Sequence, residues 1–318
     1  MLGLLNRCQR GFPLEARPFA AVGRAQGVAE DTVLDACRRG IAEGTISRVG
    51  VVFAPGAVGA STLAAMQVPA ADLERVAAIV SAQPEVNHNY EREHELNLWF
   101  VATAATPAAL DAALARIASL AAREVIALPL VEEFHIDLGF DLETGAAPRR
   151  APRVPAGATL DEADLRLVAA VQGGLEVVPE PYAALAARAG LTTAQALERL
   201  RQWLEAGVAR RIGVVLRHDA LGYNANAMAV WDLPDADVSQ AGARMARHAE
   251  VTLCYRRERV PPRWRYNLYC MLHGRDRAAV EATLQRLARE EGLAGYPHAV
   301  LFSTRCFKQR GARYADAA

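Results

Sequence analysis

The sequence predicts an α+β protein made by tandem duplication, each copy a winged helix-turn-helix followed by a βαββαβ unit. Three observations predict it: two segments recur in the same order, apolar residues at helical spacing open each copy, and strand and helix patterns alternate behind them. The stretch Glu43–Val52 reads like Ala206–Val215, with Arg48 falling on Arg211 and Gly50 on Gly213. Glu85–Arg92 reads like Glu250–Arg257, and Leu96-Asn97-Leu98-Trp99 like Tyr266-Asn267-Leu268-Tyr269. Residues 146–160, rich in Ala, Pro, Gly and Arg, have linker composition.

The elements follow in order. In the second copy Leu165, Val168 and Val171, then Leu185 and Ala189, then Leu197, Leu200 and Leu204 mark three helices. Gly190-Leu191-Thr192-Thr193 supplies the turn between the last two, with Thr192 or Thr193 as cap, and Gly207 stops the third helix before a strand over 209–216. In the first copy Gly27-Val28 is the turn and 29–41 the following helix. Behind it the pattern predicts a strand near 61–68, a helix over 70–81, strands near 85–91 and 95–103, a helix over 107–120 and a strand near 124–137. The order βαββαβ is ferredoxin-like. The predicted units are a winged helix-turn-helix at 1–56, a ferredoxin-like domain at 57–145, the linker at 146–160, a second winged helix-turn-helix at 161–217 and a second ferredoxin-like domain at 218–318.

Composition narrows the function. At 318 residues with 52% hydrophobic and 23% charged, two sizeable cores are available. Lys+Arg and Asp+Glu are 36 each, so there is no basic excess of the kind that phosphate contacts demand. The five cysteines, Cys8, Cys37, Cys254, Cys270 and Cys306, include no C-x-x-C, which argues against a disulfide framework or a Cys-rich zinc site. The apolar start Met1–Leu5 is cut short by Asn6-Arg7, predicting no signal peptide or membrane span and a cytoplasmic location.

A winged helix before βαββαβ is the layout of the Lrp/AsnC regulators, so DNA binding must be weighed. The first copy's recognition helix carries Glu30, Asp31, Asp35, Arg38, Arg39 and Glu43, and its leading end, the end that meets base edges, is acidic. The second carries Glu198, Arg199, Arg201 and Glu205, which is neutral, although Thr192, Thr193 and Gln195 suit base contacts. DNA binding is therefore disfavoured, and the helices are expected to serve as scaffold.

Unusual residues collect at matched places in the two copies. In His88-Asn89-Tyr90-Glu91-Arg92-Glu93-His94, strand alternation puts His88, Tyr90, Arg92 and His94 on one face unless a turn within 91–95 breaks the phase. Tyr255-Arg256-Arg257-Glu258-Arg259 and Arg263-Trp264-Arg265-Tyr266 crowd five arginines among aromatics, with Pro261-Pro262 between. Arginine grips carboxylates bidentately, and Trp264 and Tyr266 offer flat faces, which suits a large, flat, multiply anionic ligand. The plainer readings are a solvated hairpin edge, structural histidines, and an Arg–aromatic patch for nucleic acid, against which the neutral charge argues. No helix spacing supports a metal site at His88 and His94. His135 lies on the last strand of the first copy and borders the expected site. His298 lies elsewhere in its copy, and His218, His248 and His273 read as surface positions.

The stretches His88–Phe100, Phe134–Phe140 and Trp264–Tyr269 resemble the siroheme decarboxylases of the haem d1 and alternative haem pathways, which share the Lrp/AsnC layout. The resemblance covers nearly the whole chain and implies two subunits fused into an internal pseudo-dimer, with further oligomers open. It implies that two acetate side chains of siroheme become methyls, each losing carbon dioxide and gaining a proton, with no dedicated cofactor and no resident metal, the iron entering with the substrate. His88, assisted by Tyr90 or His94, is then the expected proton donor. Arg92, His135, Tyr255, Arg256, Arg257, Arg259, Arg263, Trp264 and Arg265 are the expected substrate contacts. Leu253 at the place of His88 predicts unequal halves. The rival readings are a ligand-responsive regulator of the Lrp/AsnC type and a tetrapyrrole-binding protein without turnover.

Overall fold

The computed structural model describes residues 3, 8, 9, 11–136, 160–217 and 219–314. The expected linker, save residue 160, lies outside them, as do His218 and residues 137–140 of the motif that begins at Phe134.

Each copy opens with a helix-turn-helix whose caps the sequence dictates. In the first, α1 (Pro18–Gln26) ends at Gly27 with φ 69°, and α2 (Glu30–Ala42) leads into β1 (Ile46–Phe53). The second copy places α5 (Glu162–Val171), α6 (Pro181–Ala189) and α7 (Thr193–Ala206) before β7 (Ala209–Leu216). Here Gly190 ends α6 with φ 65°, a left-handed conformation that glycine adopts without a Cβ penalty. Thr192 caps α7 reciprocally with Gln195, satisfying two amides that the helix leaves open. Leu165 points outward, 51% exposed, and Leu167 takes the core position instead. The helices of both copies share one core that includes Phe19, Val33, Leu34, Leu185, Leu200 and Trp203. Across it, Arg38 of α2 donates to the Val177 carbonyl of the second copy. The wings pair antiparallel, β1 with β7, and Gly50 lies opposite Gly213, so the matched glycines of the repeat meet at its pseudo-twofold axis.

Behind the wings stand two four-stranded units. The first comprises β2 (Ala60–Met66), α3 (Leu73–Ala82), β3 (Val86–Arg92), β4 (Leu98–Ala104), α4 (Pro107–Ala121) and β5 (Ile126–Leu128). After Pro129 the chain continues as β6 (Leu130–Ile136). The second comprises β8 (Ala225–Trp231), α8 (Val238–Met245), β9 (Val251–Arg257), β10 (Leu268–Gly274), α9 (Arg277–Glu290) and β11 (His298–Gln309). The strands of these two units and β6 join one sheet in the order β5-β2-β4-β3-β11-β8-β10-β9-β6, apart from the two-stranded sheet of the wings.

That order shows a reciprocal strand exchange. The single strand expected over 124–137 is two: β5 pairs with β2 of its own copy, and β6 pairs with β9 of the other. Likewise the first part of β11 pairs with β8 and the remainder with β3. The switch falls at equivalent residues, where Glu258 N donates to the Pro129 carbonyl and Glu93 N to the Phe302 carbonyl. Matched asparagines hold matched turns: Asn97 bonds both the N–H and the carbonyl of Val68, and Asn267 those of Leu233.

Alternation decides the layers. Asn89 points outward, donating to the Ala77 carbonyl of α3, and Phe134 packs under Gly242 of α8. The inner faces meet in an aromatic and aliphatic core of Leu63, Trp99, Met228, Tyr255, Trp264, Tyr269 and Leu301. No helix among the described residues is long and apolar enough to cross a membrane.

Candidate active site

The inner faces of the sheet do not fill completely. Toward the wings they leave a cavity of about 380 Å³, bounded by β1 and β7, by the inward residues of β3, β9, β8 and β10, and by residues 310–314. Its lining is unequal in charge. Arg48, Arg92, Arg211, Arg257 and Arg310 border it, with His88, His273, Tyr90, Tyr255 and Tyr314, and no acidic side chain is among the described residues that line it.

The arginines arrive from separate elements and are held by carbonyls. Arg92 donates to the Leu301 carbonyl at 3.0 Å, Arg257 to that of Leu128 at 2.6 Å, and Arg48 to that of Val51 at 3.4 Å. Arg310 bonds the Pro84 carbonyl, and Arg211 the carbonyls of Gln9 and Val214. Among the described residues Arg48, Arg92, Arg257 and Arg310 make no ion pair. Buried Nε atoms of Arg48, Arg257 and Arg310, and Oδ1 of Asn87 and Asn226, have no hydrogen-bond partner among the described residues. Burying cations without counter-charge is costly, so this lining is built for an anion with several charged groups. Gly311 lies against Arg48: a Cβ there would stand 3.0 Å from its Cζ, so a larger residue would press on the guanidinium.

β3 carries the expected proton donor. His88, Tyr90 and Arg92 share its inner face; Arg92 is 7% exposed. His88 Nδ1 lies 3.4 Å from the Tyr90 hydroxyl, and the two rings stack at 6.1 Å. Burial, reinforced by the positive charge of Arg48, lowers the His88 pKa from 6.5 to about 4. In the second copy Leu253, Tyr255 and Arg257 stand at these places. The Arg257 guanidinium lies 4.6 Å from the Tyr255 ring centroid, as that of Arg92 lies 5.7 Å from Tyr90.

Other expected site residues are not brought here. The strand phase breaks after Arg92, and His94 braces the turn by accepting from Leu96 N at 3.0 Å while meeting Trp264 edge-on at 5.3 Å. His135 is buried on β6 and does not line the cavity. The loop arginines do not form the clamp expected of them. Arg259 is bound to Asp232, to Asp235 at 2.7 Å and to the Leu233 and Arg265 carbonyls, Arg265 to Asp232 at 2.7 Å, Arg256 to Asp235 at 2.8 Å, and Arg263 to Glu124. Carboxylates from neighbouring loops claim them. Trp264 offers no open face: it is 1% exposed, donates to the Tyr269 hydroxyl at 2.6 Å and packs on Trp99 at 4.9 Å.

Conversely, His273 is no surface position. It lines the cavity, with Nδ1 2.8 Å from Thr252 Oγ1. His248 does pair at the outer layer, with Glu291 at 2.7 Å, and His298 is exposed. The residues missed by sequence reasoning are Arg48, Arg211, Arg310 and His273. Only the first two left a signal, their coincidence in the repeat.

The chain is similar to known proteins over nearly its whole length. The family model described as an AsnC-like ligand binding domain matches residues 57–135 and 220–308, and that described as a siroheme decarboxylase NirDL-like HTH domain matches 3–46 and 164–210. The siroheme decarboxylase NirDL subunit of Paracoccus denitrificans (strain Pd 1222) is 45% identical over 320 residues, covering 100% of this chain and 98% of that one. The siroheme decarboxylase NirL subunit of Stutzerimonas stutzeri is 47% identical over 145 residues, covering 46% of this chain and 85% of its own length. A crystal structure of the siroheme decarboxylase NirDL in co-complex with an iron-uroporphyrin III analogue superposes with a TM-score of 0.71 at 28% identity, covering 99% of this chain and 94% of that one.

Proposed function

The chain belongs to the siroheme decarboxylase family, and from that premise we infer how its cavity serves the reaction. It is a siroheme decarboxylase, a carboxy-lyase whose two fused halves form an internal pseudo-dimer. The observation that carries the mechanism is the cavity lined by five arginines and two histidines with no acidic side chain among the described lining residues.

Siroheme is a flat macrocycle edged with carboxylates. Arg48, Arg92, Arg211, Arg257 and Arg310 bind carboxylates that remain on the product, because a guanidinium clamped on the departing group would stabilise the ground state and slow its loss. The reacting acetate sits by His88. Its C–C bond to the carboxylate breaks, carbon dioxide leaves, the electron pair spreads into the macrocycle, and His88 delivers a proton to the methylene carbon to give a methyl. No resident cofactor enters this scheme, and the iron is part of the substrate. In the free protein His88 is neutral near pH 7; a polyanion in the cavity offsets Arg48 and raises its proton affinity, so substrate binding itself charges the donor. Two acetates react in turn, giving the didecarboxylated product that haem d1 formation needs.

Mass spectrometry of the tetrapyrrole after anaerobic incubation with siroheme tests the reading. Loss of two carbon dioxide units is expected. Unchanged siroheme in a stable complex would instead mark a binding protein.

A further inference from the structure

A second cavity, of about 270 Å³, adjoins the first at a fork in the sheet. There β11 leaves β8 after Phe302, paired with Ala227, and joins β3 from Ser303, paired with Arg92. The wall between the cavities is shared: Tyr90, Asn226, His273, Ser303 and Gln309 border both. The outer rim is the exposed segment Thr304–Cys306, in which Arg305 is ion-paired with Glu74 and Glu91. Tyr90 thus touches the outer cavity and also reaches His88, its hydroxyl 3.4 Å from Nδ1. His273 sits opposite Asn226 in the β10–β8 register. Thr252 Oγ1 lies between the Met271 carbonyl, at 3.0 Å, and His273 Nδ1, at 2.8 Å, and so anchors the imidazole.

The repeat supplies a control on these residues. Where the first site has His88, His273, Ser303 and Gln309, the second has Leu253, Thr103, Leu130 and Ile136, while Tyr90 and Arg92 keep their counterparts Tyr255 and Arg257. The same fold therefore forms without the polar line, and the anion grip is duplicated while the line to the fork is not.

Each decarboxylation removes one proton from the enzyme, and each siroheme needs two. A macrocycle lodged under the wings covers the inner side of His88. On the decarboxylase reading above, we propose that the fork cavity is the port through which His88 is re-protonated from solvent, with Tyr90 and His273 as the relay. A proton from water at the rim passes to His273 or the Tyr90 hydroxyl; His88, having given one of its two ring protons to the substrate, turns its bare nitrogen toward Tyr90, takes the hydroxyl's proton and leaves the hydroxyl to accept the next, so the relay returns to its starting state.

The test uses the full chain and siroheme under anaerobic conditions. His273→Gln should lower kcat by about tenfold with KM unchanged, and millimolar imidazole should restore most of the rate by carrying protons through the fork, a rescue that a structural defect would not show. Independently, a bulky maleimide on Cys306, which is exposed at the rim, should cut turnover while siroheme still binds, and Cys306→Ser should abolish that sensitivity. Wild-type kcat in both cases would overturn the port, and so would lost siroheme binding after labelling, which would make the fork the substrate's own route. Absence of decarboxylation by the unmodified protein would instead remove the reading on which the port rests.

Discussion

Arg92 and Arg257 make one hydrogen bond twice: Nη1 of Arg92 donates to the Leu301 carbonyl at 3.0 Å, and Nη1 of Arg257 to the Leu128 carbonyl at 2.6 Å. Leu301 and Leu128 hold the same register against β8 and β2, facing Met228 and Leu63. Each arginine is thus fixed by the strand that is about to cross to the other half. Duplication preserved the arginine, whereas the histidine exists once, because Leu253 occupies the place of His88.

Cavity and loop arginines should separate in binding. Arg48→Gln and Arg257→Gln each remove a charged donor, worth about 1.5–3 kcal/mol, and should raise the Kd for siroheme tenfold or more. Arg265→Gln removes an exposed ion pair with Asp232 and should leave Kd unchanged. Absorbance titration distinguishes them; equal losses would return the clamp to the loop.

His88→Asn should bind siroheme with near-normal affinity yet lose roughly 10²–10⁴-fold in turnover, the usual worth of a positioned proton donor. Quenched-flow analysis of product masses reads this directly, and normal turnover would end the assignment.

The depressed pKa of His88 fixes a pH dependence. Its neutral form is favoured by the fold, so its contribution to stability is complete above 6.5 and is lost as pH falls through about 4. The free protein should therefore lose stability between those values, and His88→Asn should flatten the slope in urea unfolding. Arg48, Tyr90 and Arg92 face it, and an added polycarboxylate should move its NMR titration upward. An unmoved titration would leave it uncharged at neutral pH.

Trp264 should prove structural. Buried between Trp99, Tyr266 and Tyr269, it leaves a large void when truncated, and Trp264→Ala should cost about 3–5 kcal/mol of unfolding free energy. A stability near wild type, with siroheme binding lost, would place it back in the site.

The legible part of this protein was local. Gly190 and Thr192 announced a turn and a cap because both act within a few residues of themselves. The alternation through His88, Tyr90 and Arg92 announced one face of one strand and failed at His94, where the turn forms through Asn97. The dense arginines at 256–265 suggested a ligand, yet arginine density does not say which arginines find carboxylates; Asp232 and Asp235 lie in another loop and neutralise most of them.

The sequence by itself determined the duplication, the type and order of the elements, and the candidate strand with His88, since each depends on spacing along the chain. Tertiary structure alone decided which charges meet. Arg48 comes from a wing, Arg310 from beyond the exchanged strand β11, and His273 from the second copy, and all three line one cavity with the first copy's His88 because β11 crosses between the halves and β1 pairs with β7. Electrostatic character in a cavity belongs to groups close in space, and strand exchange assembles them from segments up to 262 residues apart, between Arg48 and Arg310, a separation that no local pattern encodes.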